Sequence, residues 1–278
     1  MSYQAEISRN NPSMFLFLID QSGSMSDPFG GGGGGTKDKA MADAINRLLQ
    51  NLSIKCAKSE GVRDYYHVGV IGYGSKVGPA FDGALAGRKL VPISEVADTP
   101  SAIETRKKKV EDGAGGLVDQ DVRFPVWFKP VAANGTPMCA AIKQAHEIVS
   151  DWLKQHTNCF PPIVINITDG EASDGNPLAP AQQLKQLSSS DGNVLFFNVH
   201  ISSLSSNKIE FPSGDKELPD QYAKLLFQMS SELPDHIRTA AEQEGYAVTA
   251  QSRGFVFNAD IIAVIRFLDI GTRPSNLR

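Results

Sequence analysis

Apolar and polar positions fall along the chain in blocks whose spacing predicts its elements. Met14 to Ile19 is a continuous apolar run that ends on a carboxylate, Asp20, the pattern of a central strand buried on both faces. Loop residues follow. From Lys39 to Ala57 the residues Met41, Ala44, Ile45, Leu48, Leu49 and Leu52 recur at spacings of three and four, which predicts one helical stripe. Tyr65 to Tyr73 predicts the next strand, and a third, more polar strand is expected between Val77 and Ile93, where a short turn implies antiparallel pairing. From about 94 to 133 the pattern loses its regularity. It reads as an insertion with a charged helix near Ala102 to Val110, a glycine-rich break, and the aromatic stretch Phe124 to Pro130.

Beyond the insertion the alternation is regular. It predicts a helix over Met138 to Gln155, a strand over Pro162 to Thr168, a helix over Pro180 to Ser188 and a strand over Val194 to Ile201. A helical region from Pro219 to Glu244, broken at Pro234, precedes a strand over Gly254 to Asn258 and a helix over Asp260 to Leu268. Strand and helix in turn predict an α/β fold. The expected form is a doubly wound, Rossmann-like, mostly parallel sheet with one antiparallel edge strand and helices on both faces. No period of 20 to 50 residues recurs, so a solenoid or propeller is not expected.

Composition narrows the picture. The chain of 278 residues, 41% hydrophobic and 21% charged, carries enough apolar material for one sizeable core, expected over about 13–268 of a single domain. A net charge of −4 gives no general attraction to phosphate backbones or anionic lipid, so neither nucleic acid nor membrane is an expected partner. The one basic cluster, Arg106 to Lys109, reads as a solvated helix face. Cys56, Cys139 and Cys159 are an odd number without metal-ligand spacing, which argues against a disulfide framework or a zinc site and fits a reducing cytoplasm. The first residues lack an apolar signal core, and no apolar run reaches the ~18 residues a bilayer span needs. The expected location is therefore cytoplasmic.

In doubly wound sheets ligands collect outside the carboxyl ends of strands, where connections leave in opposite directions. Asp20 and Asp169 both sit at such ends, and two close carboxylates without a basic side chain in either motif call for a cation or a shared proton. The loop after Asp20 places the hydroxyls of Ser22 and Ser24 two and four residues on, with Gly23 at the bend. Thr136, just before a predicted helix, supplies a further hydroxyl. The donors are all oxygens, which select Mg²⁺, Mn²⁺ or Ca²⁺ over zinc or copper; Mg²⁺ is the first expectation. With water completing the shell, one coordination position would stay open to an incoming Asp or Glu carboxylate.

The set Asp20, Ser22, Ser24, Thr136 and Asp169 resembles the metal-ion-dependent adhesion site of the von Willebrand factor type A family, written Asp-x-Ser-x-Ser, then Thr, then Asp on a later strand. The resemblance extends over roughly Ser13 to Leu268. It implies a non-catalytic domain that holds a protein partner through a bound divalent cation. More narrowly, Leu16 to Met25, Ser230 to Pro234, Gly254 to Asn258 and Arg266 to Arg273 resemble bacterial stand-alone domains of the tellurite-resistance type. That resemblance implies a stress-response or signalling adaptor with phosphatase or kinase-like partners. The glycine run and the insertion before Thr136 depart from the pattern.

Other readings stay open at this stage. A Mg²⁺-dependent phosphatase would need a second acid two residues after Asp20, where Ser22 stands. Self-assembly through the metal cup would make head-to-tail contacts. The glycines from Gly30 to Gly35 do not directly follow a strand and are followed by Thr36 and Lys37, so no nucleotide motif holds; a flexible flap and a tolerated loop are the two readings. His67, His146, His156, His200 and His236 share no spacing and are expected to be structural or exposed. Glu171 and Asp174 read as a solvated loop, and Cys139 as the one cysteine near the rim.

Overall fold

The apolar run that ends on Asp20 forms β1 (Ser13–Asp20), buried along its whole length. Phe15, Phe17 and Ile19 enter one core, and Met14, Leu16 and Leu18 enter another on the opposite side of the sheet. Both faces are covered, so the run is continuous instead of alternating. The structure is a computed structural model that describes residues 3–29, 35–111, 116–201 and 208–271. The glycines at 30–34, the break at 112–115 and the motif end at 272–273 lie outside the described residues.

The other elements, in chain order, are α1 (Lys37–Lys55), β2 (Ala57–Lys58), β3 (Gly61–Val62), β4 (Tyr66–Tyr73), β5 (Val77–Pro79), β6 (Val91–Pro92) and α2 (Ile93–Asp98). They continue with β7 (Ala102–Glu111), β8 (Leu117–Val126), α3 (Met138–Leu153), β9 (Ile163–Thr168), α4 (Leu178–Gln186) and β10 (Leu195–Ile201). The last are β11 (Ile209–Glu210), α5 (Gln221–Met229), α6 (Asp235–Gln243), β12 (Phe255–Ala259) and α7 (Ile261–Gly271).

The main sheet runs β11-β12-β10-β9-β1-β4-β5, with β6 also on β4. β12, β10, β9, β1 and β4 are parallel. Antiparallel pairing occurs at both edges: β5 and β6 lie on β4, as the short turn after Tyr73 implies, and β11 lies on β12. One antiparallel edge strand was expected, and the two-residue β11 is too short to leave a periodic signal. Helices α1, α2, α6 and α7 cover one face, and α3, α4 and α5 cover the other. This is the doubly wound α/β arrangement. No helix among the described residues is long and apolar enough to cross a membrane.

The insertion corrects one expectation. Residues 102–110 are not a helix but β7 of a separate two-stranded hairpin with β8. The like charges of Arg106 to Lys109 find compensation across the ladder: Lys107 is opposite Asp121, Lys109 is opposite Asp119, and the Arg106 guanidinium lies 3.6 Å over the Phe124 ring. Arg106 also pairs with Asp43 of α1 at 2.8 Å. At the hairpin base the Asn46 side chain of α1 accepts the backbone N–H groups of Trp127 and Phe128 and donates to the Phe128 carbonyl.

Candidate metal centre

β1 sends its connection through α1 to β4 on one side, while β9, its other neighbour, sends the next through α4 to β10 on the opposite side. The carboxyl ends of β1 and β9 therefore flank the point where the winding reverses, and the crevice beyond them is the natural ligand position. Asp20 is the last residue of β1, and Asp169 directly follows β9.

Four of the five sequence candidates converge there. Ser22 Oγ and Ser24 Oγ are 3.0 Å apart, and they lie 3.4 and 2.8 Å from Asp169 Oδ1. Asp20 stands behind them: its Oδ1 accepts the Ser22 backbone N–H at 2.8 Å and its Oδ2 accepts the Thr168 hydroxyl at 2.7 Å. Burial pushes the Asp20 carboxyl up to about 6, against the donors of Ser22 and Thr168, and the Asp169 charge adds to the rise. Asp20 and Ser22 are buried, whereas Ser24 is exposed and forms the mouth of the cup.

Thr136 arrives on a loop strapped to both carboxylate loops. The Ala133 N–H donates to the Gln21 carbonyl at 2.6 Å, and the Thr136 carbonyl and N–H bond to Ser173 N and Ser173 Oγ. Gly135, at φ +86°, makes the reversal that a residue with a β-carbon would resist. The Thr136 hydroxyl makes no hydrogen bond within the cluster among the described residues. Asp174 is exposed on its loop, as expected, and has a role besides: its carboxylate accepts the backbone N–H groups of Cys139 and Ala140 and so caps the first turn of α3. Cys139 is buried, and burial pushes its thiol up to about 11.

The cluster also contains a base that neither motif holds. Lys37, the first residue of α1, places its ammonium 2.7 Å from Asp169 Oδ2 and 3.4 Å from the Ser24 carbonyl. The side chains are 7% and 0% exposed, so this is a buried ion pair. Gly35 and Thr36 pair back onto Phe29 and Pro28, which closes the base of the glycine segment immediately before Lys37.

Behind the cup, Thr168 and Tyr222 meet the Gly170 carbonyl, and His200 lies edge-on to Tyr222 and stacked on Phe257. Burial pulls the His200 imidazole down to about 4, and its Nδ1 accepts the Asn258 N–H, so it is a neutral structural group near neutral pH. Thr168 was legible only as a strand residue. Lys37 stands before the helix expected from Lys39 and entered the sequence reading only as a residue that follows the glycine run.

The donor chemistry fits a hard cation. Adjacent oxygens around an octahedral Mg²⁺ at about 2.1 Å stand about 3 Å apart, close to the separations among Ser22, Ser24 and Asp169. Among the described residues no group of three or more His, Cys, Asp and Glu side chains is placed to hold a metal. Half of the converged donors are serine hydroxyls, which lie outside that chemistry.

The fold and the cup define a doubly wound α/β domain with an oxygen-lined site at the reversal of the sheet. No family model and no curated protein matches the chain. Among solved structures, it is similar to a von Willebrand factor type A protein from Catenulispora acidiphila, with 15% identity over 95% of this chain and 43% of that one and a TM-score of 0.49. The von Willebrand factor domain of the type V pili tip protein Mfa5 from Porphyromonas gingivalis shows 15% identity over 58% of this chain and 39% of that one, with a TM-score of 0.33. Manganese-loaded TRAP protein from Plasmodium vivax shows 16% identity over 68% and 57%, also with a TM-score of 0.33. The chain thus spans about two fifths of the length of the first two.

Proposed function

We propose that the chain is a non-catalytic interaction domain that holds a protein partner through a divalent cation, with Asp20, Ser22, Ser24, Thr136 and Asp169 as the residues that would hold the ion. The observation that carries this reading is the convergence of two carboxylates and two serine hydroxyls from β1, β9 and the loop between β1 and α1. Ser24, the exposed member, forms the outer rim, and the buried Asp169 and Asp20 carboxylates supply negative charge behind it. Such an ion, when bound, supplies positive charge to a carboxylate oxygen. Mg²⁺ is the proposed ion, with Mn²⁺ and Ca²⁺ as the other oxygen-seeking candidates.

The proposed partner offers an Asp or Glu side chain. The motif resemblance supports a bacterial stress-response or signalling adaptor of the tellurite-resistance type, with phosphatase or kinase-like partners, acting in the cytoplasm. Enzyme chemistry is not proposed, because the position two residues after Asp20, where a phosphatase of this plan would need a second acid, is Ser22.

Affinity purification from the native cell tests the reading. Wild type should retain partner proteins in Mg²⁺ and lose them in chelator, and Asp20→Ala and Asp169→Ala should retain none. Partner binding that survives both substitutions and the chelator would end the proposal.

A further inference from the structure

Lys37 reaches two carboxylates of opposite character. Its ammonium is 2.7 Å from the fully buried Asp169 carboxylate and 3.7 Å from Asp27 Oδ2, whose side chain is 58% exposed. The Lys37 backbone N–H is held by the Asp27 carbonyl at 3.1 Å, and the Ser24 carbonyl, 3.4 Å from the ammonium, lies on the same side. The lysine backbone is therefore anchored beside its second acceptor. A short swing of the side chain exchanges a buried ion pair for a solvated one.

Charge gives this pair of positions a direction. Asp20 and Asp169 are two buried carboxylates, and Lys37 is the one cation hydrogen-bonded within their cluster among the described residues. The ammonium neutralises Asp169 in the absence of a metal, at the oxygen that neighbours the serine-bound one. A divalent ion held by Ser22, Ser24 and Asp169 would share that carboxylate with a second positive charge a few ångströms away. Like charges at such a distance in a poorly solvated site repel strongly. Asp27 gives the displaced ammonium a carboxylate at the solvent edge.

We infer that Lys37 is a built-in competitor for the metal: its ammonium holds Asp169 when the ion is absent and transfers to Asp27 when the ion binds, so that the Lys37–Asp27 pair sets the affinity of the cup. The inference rests on the metal-binding reading above. It goes beyond it by assigning roles to two residues outside the ligand set.

The test is calorimetric titration of the full chain with Mg²⁺ and with Mn²⁺. Lys37→Met keeps the buried stem and removes the charge; it should tighten binding at least ten-fold. Asp27→Asn, at an exposed position, should weaken binding about three-fold or more, and should have no effect when added to Lys37→Met. Circular dichroism checks that each variant is folded, and Asp27→Asn alone carries the test if Lys37→Met does not fold. Unchanged or weaker binding by folded Lys37→Met would overturn the competitor role while leaving the metal reading intact. So would an Asp27→Asn variant that binds like wild type. Absence of binding in every variant up to millimolar metal would overturn both readings, whereas binding by Lys37→Met alone would support both.

Discussion

Thr168 Oγ1 lies 2.7 Å from Asp20 Oδ2 and joins the ends of β9 and β1 through side chains just where their backbone pairing stops. Both residues are buried, Asp20 at 1% exposure and Thr168 at 0%. Such a bond is charge-assisted, and its loss would leave a carboxylate oxygen without a donor. Thr168→Val preserves the shape of the strand and removes only the hydroxyl. It should lower the stability of the metal-free protein by about 1–3 kcal/mol, read as a lower urea midpoint at constant slope. An unchanged midpoint would show that Asp20 finds an equivalent donor elsewhere.

Asp20 also predicts how stability depends on pH. Its carboxyl is pushed from an ordinary 3.8 to about 6, so between these values the folded chain holds a proton that the unfolded chain has released. The sign is opposite to that of a salt-bridged acid. The contribution is fully present below 3.8, is lost as pH rises through the window to about 6, and is flat above it. The span corresponds to at most about 3 kcal/mol. In chelator, the difference in unfolding free energy between wild type and Asp20→Asn should slope between pH 4 and 6, with wild type losing ground as pH rises. Saturating Mg²⁺ should flatten or reverse that slope, because a bound cation favours the carboxylate. A difference that stays level across the window in chelator would place the proton elsewhere.

The strands that carry the carboxylates were legible because burial on both faces leaves an apolar run, unbroken in Phe15 to Ile19 and interrupted by the single buried Asn166 in Ile163 to Ile167. The serines were legible because they are local to Asp20. Lys37 was not, since nothing in its neighbours distinguishes a first-turn lysine facing solvent from one folded back onto a strand end. The hairpin was misread for a related reason. Arg106 to Lys109 suit a helix by local preference, and the acids that make a strand acceptable, Asp119 and Asp121, lie on the paired strand β8. Asp174 was likewise read from its loop, although its role is defined by a helix some 35 residues earlier.

That capping contact makes a separate prediction. Asp174 accepts two backbone N–H groups, at 3.0 Å from Cys139 and 2.9 Å from Ala140, and places negative charge at the start of α3. Asp174→Ala should destabilise the protein by about 1–2 kcal/mol, and Asp174→Asn by less. The same loop holds the Thr136 backbone through Ser173, so hydrogen exchange at residues 136–140 should rise in Asp174→Ala more than exchange in β1. Uniform protection loss across both segments would mean a global effect instead of a loosened rim.

Gly74 offers the sharpest separation of metal affinity from stability. A β-carbon there would come 2.5 Å from the Gln21 carbonyl oxygen and 3.0 Å from its carbon, which are backbone atoms with no rotamer to yield. The Gln21 carbonyl is the acceptor for Ala133, and the Gln21 N–H is tied to Tyr73, so pushing Gln21 displaces the Asp20 to Ser24 loop and slackens the strap to Thr136 together. Gly74→Ala should therefore weaken Mg²⁺ binding by about ten-fold or more, consistent with a few ångström-tenths of ligand displacement in a geometrically strict shell, at a stability cost of about 1–3 kcal/mol. Gly78 lies in the adjacent β5 with open space around its would-be β-carbon, so Gly78→Ala is the matched control and should bind the ion like wild type. Equal metal affinity in the two variants would mean that the loop after β1 does not hold the ion, and the oxygen cup would then have to be sought without Ser22 and Ser24.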